Sequence, residues 1–300
     1  MRKLVFIAVA LCSLNAVAQT NSMELWYKNP AKTWTEALPV GNGRLGAMVY
    51  GDYKRENIQL NEESVWAGTK INNNNPEAKA HLGEIQQAIF QQEYKKALDL
   101  SNKYMVGTPP QVRSYQPLGN LFINYAWVGE PTSYKRSLDL HTGIAKTEYT
   151  IDGNKVTQEV FVSAPQNIVV VSIHADKAFN AEVLLCREFD GSNENKDKRK
   201  KSTLTAPFCE NVYKNKDGVA NYSGQIIDAE LPGKGPAGKH MRYAAAMKVL
   251  STNGKTDPFA TDKSTGFKLQ SVKDIAFVIT GATDYNMDLL NTDPSIDPLA

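Results

Sequence analysis

Two adjacent carboxylates, Glu62 and Glu63, precede Trp66 in the stretch LNEESVWAG, the densest group of chemistry-bearing side chains in the chain. A carboxylate pair is what acid–base cleavage of a glycosidic bond requires, and an indole offers a flat apolar face for a sugar ring. Neighbouring residues of a strand project to opposite sides, however, so Glu62 and Glu63 cannot easily flank one bond. Two readings of the pair stand side by side. It forms a wall of an active site contributed across a domain interface, or it clasps this domain to another through hydrogen bonds. Tyr115 and Gln116 precede Pro117, which holds them extended, so that they can project at an interface. Glu62, Glu63, Trp66, Tyr115 and Gln116 are therefore candidates for substrate binding or for an interface, and no residue is assigned a catalytic role.

Other groups carry less. Gly41, Asn42, Gly43 and Gly46 suggest a phosphate-cradling loop, but the next run, RLGAMVYG, reads as a strand, so the helix N-terminus such a loop needs is missing. The four histidines, His81, His141, His174 and His240, lie far apart, and no Cys-x-x-Cys or His-Glu-x-x-His pattern occurs; no metal and no cofactor is expected. Cys186 and Cys209 flank a polar loop and form either a disulfide or two separate buried thiols. For Trp26, Tyr27 and Trp34, packing in a core or an interface is the default reading and sugar stacking the alternative.

The elements that must position these residues are mostly strands. Arg44–Tyr50, Asn57–Leu60, Leu118–Trp127, Ala181–Cys186, Arg242–Leu250 and Ile275–Gly281 are short apolar or alternating runs. Thr147–Ile151 and Lys155–Val162 flank Asp152-Gly153-Asn154, a hairpin signal, with Val156, Val160 and Val162 on one face. Asn167–His174 is nearly continuous apolar sequence, which suits a strand buried on both sides. One region reads as helical: Asn75 caps, Pro76 fits the first turn, and Leu82, Ile85 and Ile89 form a stripe, followed by a second short stretch with Tyr94, Ala97, Leu98 and Ser101. The expected fold is mainly β, a large antiparallel β-sandwich with a short helical insertion. Gly191–Ser202 is dense in both charges and reads as a solvated loop.

The first residues read as an export signal. Arg2 and Lys3 precede an apolar run, Leu4–Leu14, too short to span a bilayer, and Ala16-Val17-Ala18 is a small-x-small cleavage pattern. Residues 1–18 are thus expected to be a signal peptide, placing the protein in the periplasm or outside the cell. Of 34 Lys+Arg, two belong to this leader, so the remainder balances the 32 Asp+Glu. A neutral chain offers no basic field for nucleic acid or an anionic membrane, and no membrane insertion is expected.

Four ordered stretches carry a family resemblance: LWYKNPAKTWTEALPVGNGRLGAMVYG at Leu25–Gly51, IQLNEESVWAG at Ile58–Gly68, YQPLGNL at Tyr115–Leu121 and QEVFVSAP at Gln158–Pro165. Weaker echoes follow in HMRYAAAMKV from His240 and IAFVITGATDYN from Ile275. Together they resemble the N-terminal domain of glycoside hydrolase family 95, whose opening is similar to that of family 65. The resemblance implies an exo-acting enzyme, an inverting α-L-fucosidase or an α-L-galactosidase, acting on a glycan. It implies that the acid, a Glu, and the base, an Asn assisted by an Asp, belong to an (α/α)6 barrel with no matching position here. On this reading residues 19–290 are the sandwich, residues 291–300 begin a linker with two Asp-Pro steps, and the barrel is an intramolecular partner. This chain alone is then expected to be inactive. A stand-alone, non-catalytic sugar-binding or structural module is the alternative.

Overall fold

The computed structural model describes residues 23–113, 115–187, 209–228, 230 and 233–300, without the side chains of residues 209, 210 and 228. The expected leader, most of the Gly191–Ser202 loop's surroundings and that loop itself lie outside the described residues. Strands dominate. β1 (Glu24–Tyr27), β2 (Leu38–Gly41), β3 (Leu45–Val49) and β4 (Arg55–Glu62) come first, followed by helices α1 (Ala78–Phe90) and α2 (Tyr94–Tyr104). Then come β5 (Gly119–Tyr125), β6 (Ser133–Asp139), β7 (Ile144–Ile151), β8 (Asn154–Ser163) and β9 (Ile168–Cys186). The chain continues through β10 (Cys209–Lys216), β11 (Val219–Asp228), β12 (Gly238–Thr252), β13 (Lys255–Ala260) and β14 (Thr265–Thr283). A small hairpin of β15 (Tyr285–Asn286) and β16 (Asn291–Thr292) ends the series. No helix among the described residues is long and apolar enough to cross a membrane.

All pairing between the strands is antiparallel, as expected for a sandwich. One layer runs β1-β6-β7-β8-β9-β14-β12-β11-β10, and a second branch runs β2-β3-β4-β5 onto β9, with β13 on β14. β9 and β14 are long enough, at 19 residues each, to serve both branches. Residues 168–175 of β9 pair with β8, and residues 181–186 pair with β5. β14 bends with β9 through register shifts between Leu269 and Asp274, where Ser271 has φ 52°. β2 and β3 lie over β7 and β8. The core combines aliphatic side chains, with Ile58, Leu60, Leu121, Ile123, Val156, Val160, Val171 and Ile173 buried, and aromatic ones, with Tyr222, Tyr243 and Phe277 fully buried.

The hairpin at Asp152-Gly153 forms as the sequence predicts. Ile151 pairs with Asn154, and both turn residues have positive φ, 52° and 64°, the conformation that matches the twist of a two-residue reversal. The β9 segment differs from expectation. Val169, Val171 and Ile173 are buried, while Ile168, Val170 and Ser172 are half-buried and His174 is exposed. A sandwich covers each layer on one side, so an apolar outer row does not imply a second covering layer. The helices also bury less than their stripe suggests: Ile85, Ala88 and Ala97 are buried, but Leu82, Ile89 and Leu98 are exposed and Phe90 is 83% exposed. Trp26, Tyr27 and Trp34 are exposed rather than packed in the core. Cys186 is buried; the side chain of Cys209, and with it any bridge between the two, lies outside the described residues.

A buried polar knot joins the layers. Glu56 of β4 is 1% exposed; one of its carboxylate oxygens accepts from the Gly51 amide at 2.8 Å and the other from Gln158 Nε2 of β8 at 2.6 Å. Gln158 Oε1 accepts from the Tyr125 hydroxyl at 3.0 Å, and the Gly51 carbonyl accepts from Tyr134 at 2.6 Å. Gly51 has φ 74°, and a Cβ there would meet the Tyr134 oxygen at 2.7 Å, so only glycine fits. Burial pushes the Glu56 carboxyl up from 4.5 to about 7, against the lowering effect of its hydrogen bonds. A raised carboxyl keeps its proton in the folded state after the unfolded chain has lost it. Its contribution to stability is therefore present at low pH and declines as pH rises from about 4.5 to about 7, levelling off above that. Urea midpoints across this window should fall in the wild type, and Glu56→Gln should remove most of that slope.

Candidate functional site

The LNEESVWAG segment leaves the end of β4 and turns sharply. The Glu63 amide donates to the Arg44 carbonyl at 2.9 Å, the Trp66 amide to the Ser64 carbonyl at 2.8 Å, and the Gln116 amide to the Val65 carbonyl at 2.9 Å. Trp66 and Tyr115 also form an isolated antiparallel bridge. The turn is thus fixed on both sides by backbone, which lets its side chains be sorted by direction.

Glu62 turns inward and is 3% exposed. Its Oε2 accepts from the Ser64 amide at 2.8 Å and the Ser64 hydroxyl at 2.7 Å. Because that hydroxyl has one hydrogen, its 2.6 Å contact with Thr283 Oγ1 must be a bond donated by Thr283. Burial raises the Glu62 carboxyl, opposed by the two bonds from Ser64. Glu62 therefore anchors the turn to the end of β14. Glu63 turns outward, with Oε1 3.1 Å from Arg44 Nε in a pair exposed to solvent. The separation of the two carboxylates follows from the alternation of the strand they end.

Tyr115 is half-buried; its hydroxyl lies 2.6 Å from both Asn61 Oδ1 and the Glu62 carbonyl, and burial pushes it up to about 12. Gln116 does not project at a surface, contrary to expectation. Its side chain is buried, and its Oε1 accepts from Arg187 Nη2 at 2.7 Å. Arg187, also buried, donates to the Tyr243 hydroxyl at 2.9 Å, and its guanidinium lies over the Tyr243 ring at 4.2 Å. A proline fixes the direction of the backbone before it, but the guanidinium that needs an acceptor fixes the side chain.

Trp66 is 42% exposed, yet it is held. Its indole N–H donates to the Glu63 carbonyl at 3.2 Å, and its ring meets Tyr115 edge-on with centroids 5.0 Å apart. Trp66 and Glu63 line a cavity of about 400 Å³. Its other walls come from segments that sequence reasoning did not single out: Ile71 and Lys70, then Val112 and Arg113. Met241 of β12 and the β15–β16 hairpin, through Tyr285, Met287 and Leu290, complete it. Arg113 is buried and braces the far wall through Nε to the Gly235 carbonyl at 2.8 Å. Lys70 holds the hairpin: its amide donates to Asn291 Oδ1 at 3.2 Å and its Nζ to the Leu289 carbonyl at 3.3 Å. Residues 291–296, which the sequence reads as the start of a linker, fold back onto the sandwich. Arg242 binds Asp284 through Nε at 2.9 Å and donates from Nη2 to the carbonyls of Pro294 and Ile296. No group of three or more potential metal ligands is assembled among the described residues.

The sequence family described as "Glycosyl hydrolase family 65, N-terminal domain" matches residues 25–288. The chain belongs to it. The matched span runs from within β1 through β15, includes the Trp66 turn, and ends before β16. Relatives include the protein named Alpha-L-fucosidase 2 of Arabidopsis thaliana, 32% identical over 158 residues, which is 52% of this chain and 18% of the relative. Two proteins named Probable alpha-fucosidase A, from Aspergillus niger and Aspergillus oryzae, are each 30% identical, over 57% and 56% of this chain. The alignments cover 22% and 24% of those two proteins, so the chain matches about a fifth of the length of its curated relatives.

The buried polar contacts at the turn predict an asymmetry in stability. Gln116→Ala, which removes the 2.7 Å acceptor of Arg187 Nη2 and leaves it the Pro117 carbonyl at 3.3 Å, should cost about 1–2 kcal/mol. Trp66→Phe, at a half-exposed ring, should cost about 0.5 kcal/mol or less. Equilibrium urea unfolding of the two variants checks the contrast.

Proposed function

We propose that this chain is the N-terminal sandwich domain of an exported exo-acting glycosidase that releases terminal α-linked L-fucose from glycans, of the family 95 type. One observation carries the reading: relatives from a plant and two fungi align to this domain at 30–32% identity, and all are named fucosidases. The four ordered motifs agree with it, as does the coverage of about a fifth of each relative, which leaves ample length elsewhere for a catalytic barrel.

An inverting hydrolase needs a proton donor and a base separated by roughly 6.5–9.5 Å, both reaching one glycosidic bond. Glu62 spends its Oε2 on Ser64 and is buried, while Glu63 is exposed on the opposite side of the strand end and paired with Arg44. Neither arrangement presents such a pair, so the chemistry belongs to a barrel, and the sandwich supports it. The leader pattern Arg2–Ala18 supports export to the periplasm or beyond. The Trp66 cavity favours a second reading, a sugar-binding module without turnover.

Hydrolysis of an aryl α-L-fucoside separates these readings. The 300-residue chain should show no turnover above buffer, and a protein extended through a downstream barrel should release the aryl group with inversion. Turnover by the 300-residue chain that vanishes in Glu62→Gln or Glu63→Gln would overturn the assignment of chemistry to a barrel.

A further inference from the structure

We propose that β1 is a pairing edge through which two copies of this chain join antiparallel, with Trp26 of each facing Trp26 of the other across a two-fold axis. The pairing uses only the outer edge of the β1–β10 layer, so it stands apart from the enzymatic reading.

β1 begins that layer and, among the described strands, pairs with β6 alone. One bond fixes the direction of its free backbone groups. The Leu140 amide donates to the Met23 carbonyl at 2.7 Å, so Met23 turns its backbone toward β6. These groups alternate in side along an antiparallel strand, so Leu25 and Tyr27 also face β6. Glu24 and Trp26 then present N–H and C=O outward, where a further strand would bond. The opposite edge, β10, is tied down. Thr265 Oγ1 donates to the Lys214 carbonyl at 2.7 Å, and Asn215 Nδ2 to the Gly266 carbonyl at 2.8 Å. β1 instead leaves Leu25, Trp26 and Tyr27 exposed, with exposed Met23 and Leu140 joined beside them.

This edge is complementary to itself. In the register that sets Trp26 against Trp26, Glu24 falls opposite Lys28 on both sides of the axis, and Leu25 opposite Tyr27. Glu24, Trp26 and Lys28 share one face by the period of two, and the Lys28 ammonium lies over the Trp26 ring at 5.8 Å. An aromatic pair flanked by two opposite-charge pairs is a stabilising cross-strand pattern. Moving the register two residues either way sets Trp26 against a charge and loses both ion pairs. The charges therefore specify a second copy as the occupant. Glu24 Oε1 holds Lys135 at 2.8 Å, and a carboxylate retains capacity for a second cation. Four residues make a short seam, so the association is weak and concentration-dependent.

Sedimentation velocity of the full chain over a range of concentrations tests the pairing, and charge reversal tests its register. The wild type is expected to pass from monomer to dimer as concentration rises. Lys28→Glu sets like charges opposite each other and should weaken the dimer by about tenfold, as should Glu24→Lys. Mixed together, these two variants regain both opposite-charge pairs and should form a mixed dimer as tight as that of the wild type. A misfolded variant would not recover on mixing. Trp26→Cys gives a readout independent of charge. Facing Cα atoms about 5.5 Å apart allow a disulfide, so mild oxidation should link Trp26→Cys chains beyond the wild-type background. Leu25→Cys chains, offset along the strand, should link far less. A monomer at every concentration would overturn the proposal. Equal linking of Trp26→Cys and Leu25→Cys, or association indifferent to both charge reversals, would overturn it too. The contact would then lie elsewhere, in the segment before β1 or on the α1–α2 helices.

Discussion

The antiparallel pairing of β9 with β14 is the constraint on which the rest of the fold depends. Their register runs from Leu185 opposite Thr265 to Val169 opposite Ile279, interrupted where the two strands bend together. One half of this ribbon holds β8 and β12, and the other holds β5 and β13. The two layers are therefore not separate sheets pressed face to face; they are continuations of the same two strands. An apolar core alone would let one layer slide over the other, because apolar contact has no direction. Shared hydrogen-bonded strands remove that freedom, and the Glu56–Gln158 bond fixes β4 against β8 as a second tie.

The cavity inherits its shape from this ribbon. Thr283, the last residue of β14, holds Ser64, and Ser64 holds Glu62, so the turn carrying Trp66 is fastened to the strand that organises both layers. Directly after Thr283, Asp284 grips Arg242 of β12, and the β15–β16 hairpin swings back to face Trp66. Two carboxylates thus act as fasteners at this end of the sandwich, each used for geometry rather than for proton transfer. Of the acidic pair in sequence only Glu62 is one of these fasteners; Glu63 leaves on the other side of the strand end and pairs with Arg44, so the two do not meet in space.

Local chemistry was the legible part of the sequence. Asp152-Gly153 specifies its own reversal, and the alternation across Glu62 and Glu63 specifies that they part company; neither needs information from afar. The helical stripe was legible as helix but only partly as packing, because of the stripe only Ile85 is buried, beside the small residues Ala88 and Ala97, while Leu82, Ile89 and Leu98 stay outside. Gln116 was misplaced for a related reason: its fate depends on Arg187, 71 residues away, which nothing in YQPLG announces. Half of the cavity was equally hidden. Trp66 and Glu63 stand in a recognisable motif, whereas Met241 arrives on β12 and Met287 and Leu290 on the hairpin that follows β14, which is long-range information.

The helical pair bears on how the protein behaves in concentrated solution. Phe90, Tyr94 and Leu98 are among its most exposed large side chains, gathered on two short helices at the surface. Solutes excluded from protein surfaces, such as sulfate, raise the free energy of wetting such a face and so favour any contact that covers it. The α1–α2 tip is accordingly one of several sticky places on the surface, since Trp26, Trp34, Val128 and Leu250 are exposed elsewhere. Ammonium sulfate should favour association through that tip, which gathers three large exposed side chains on one helical pair.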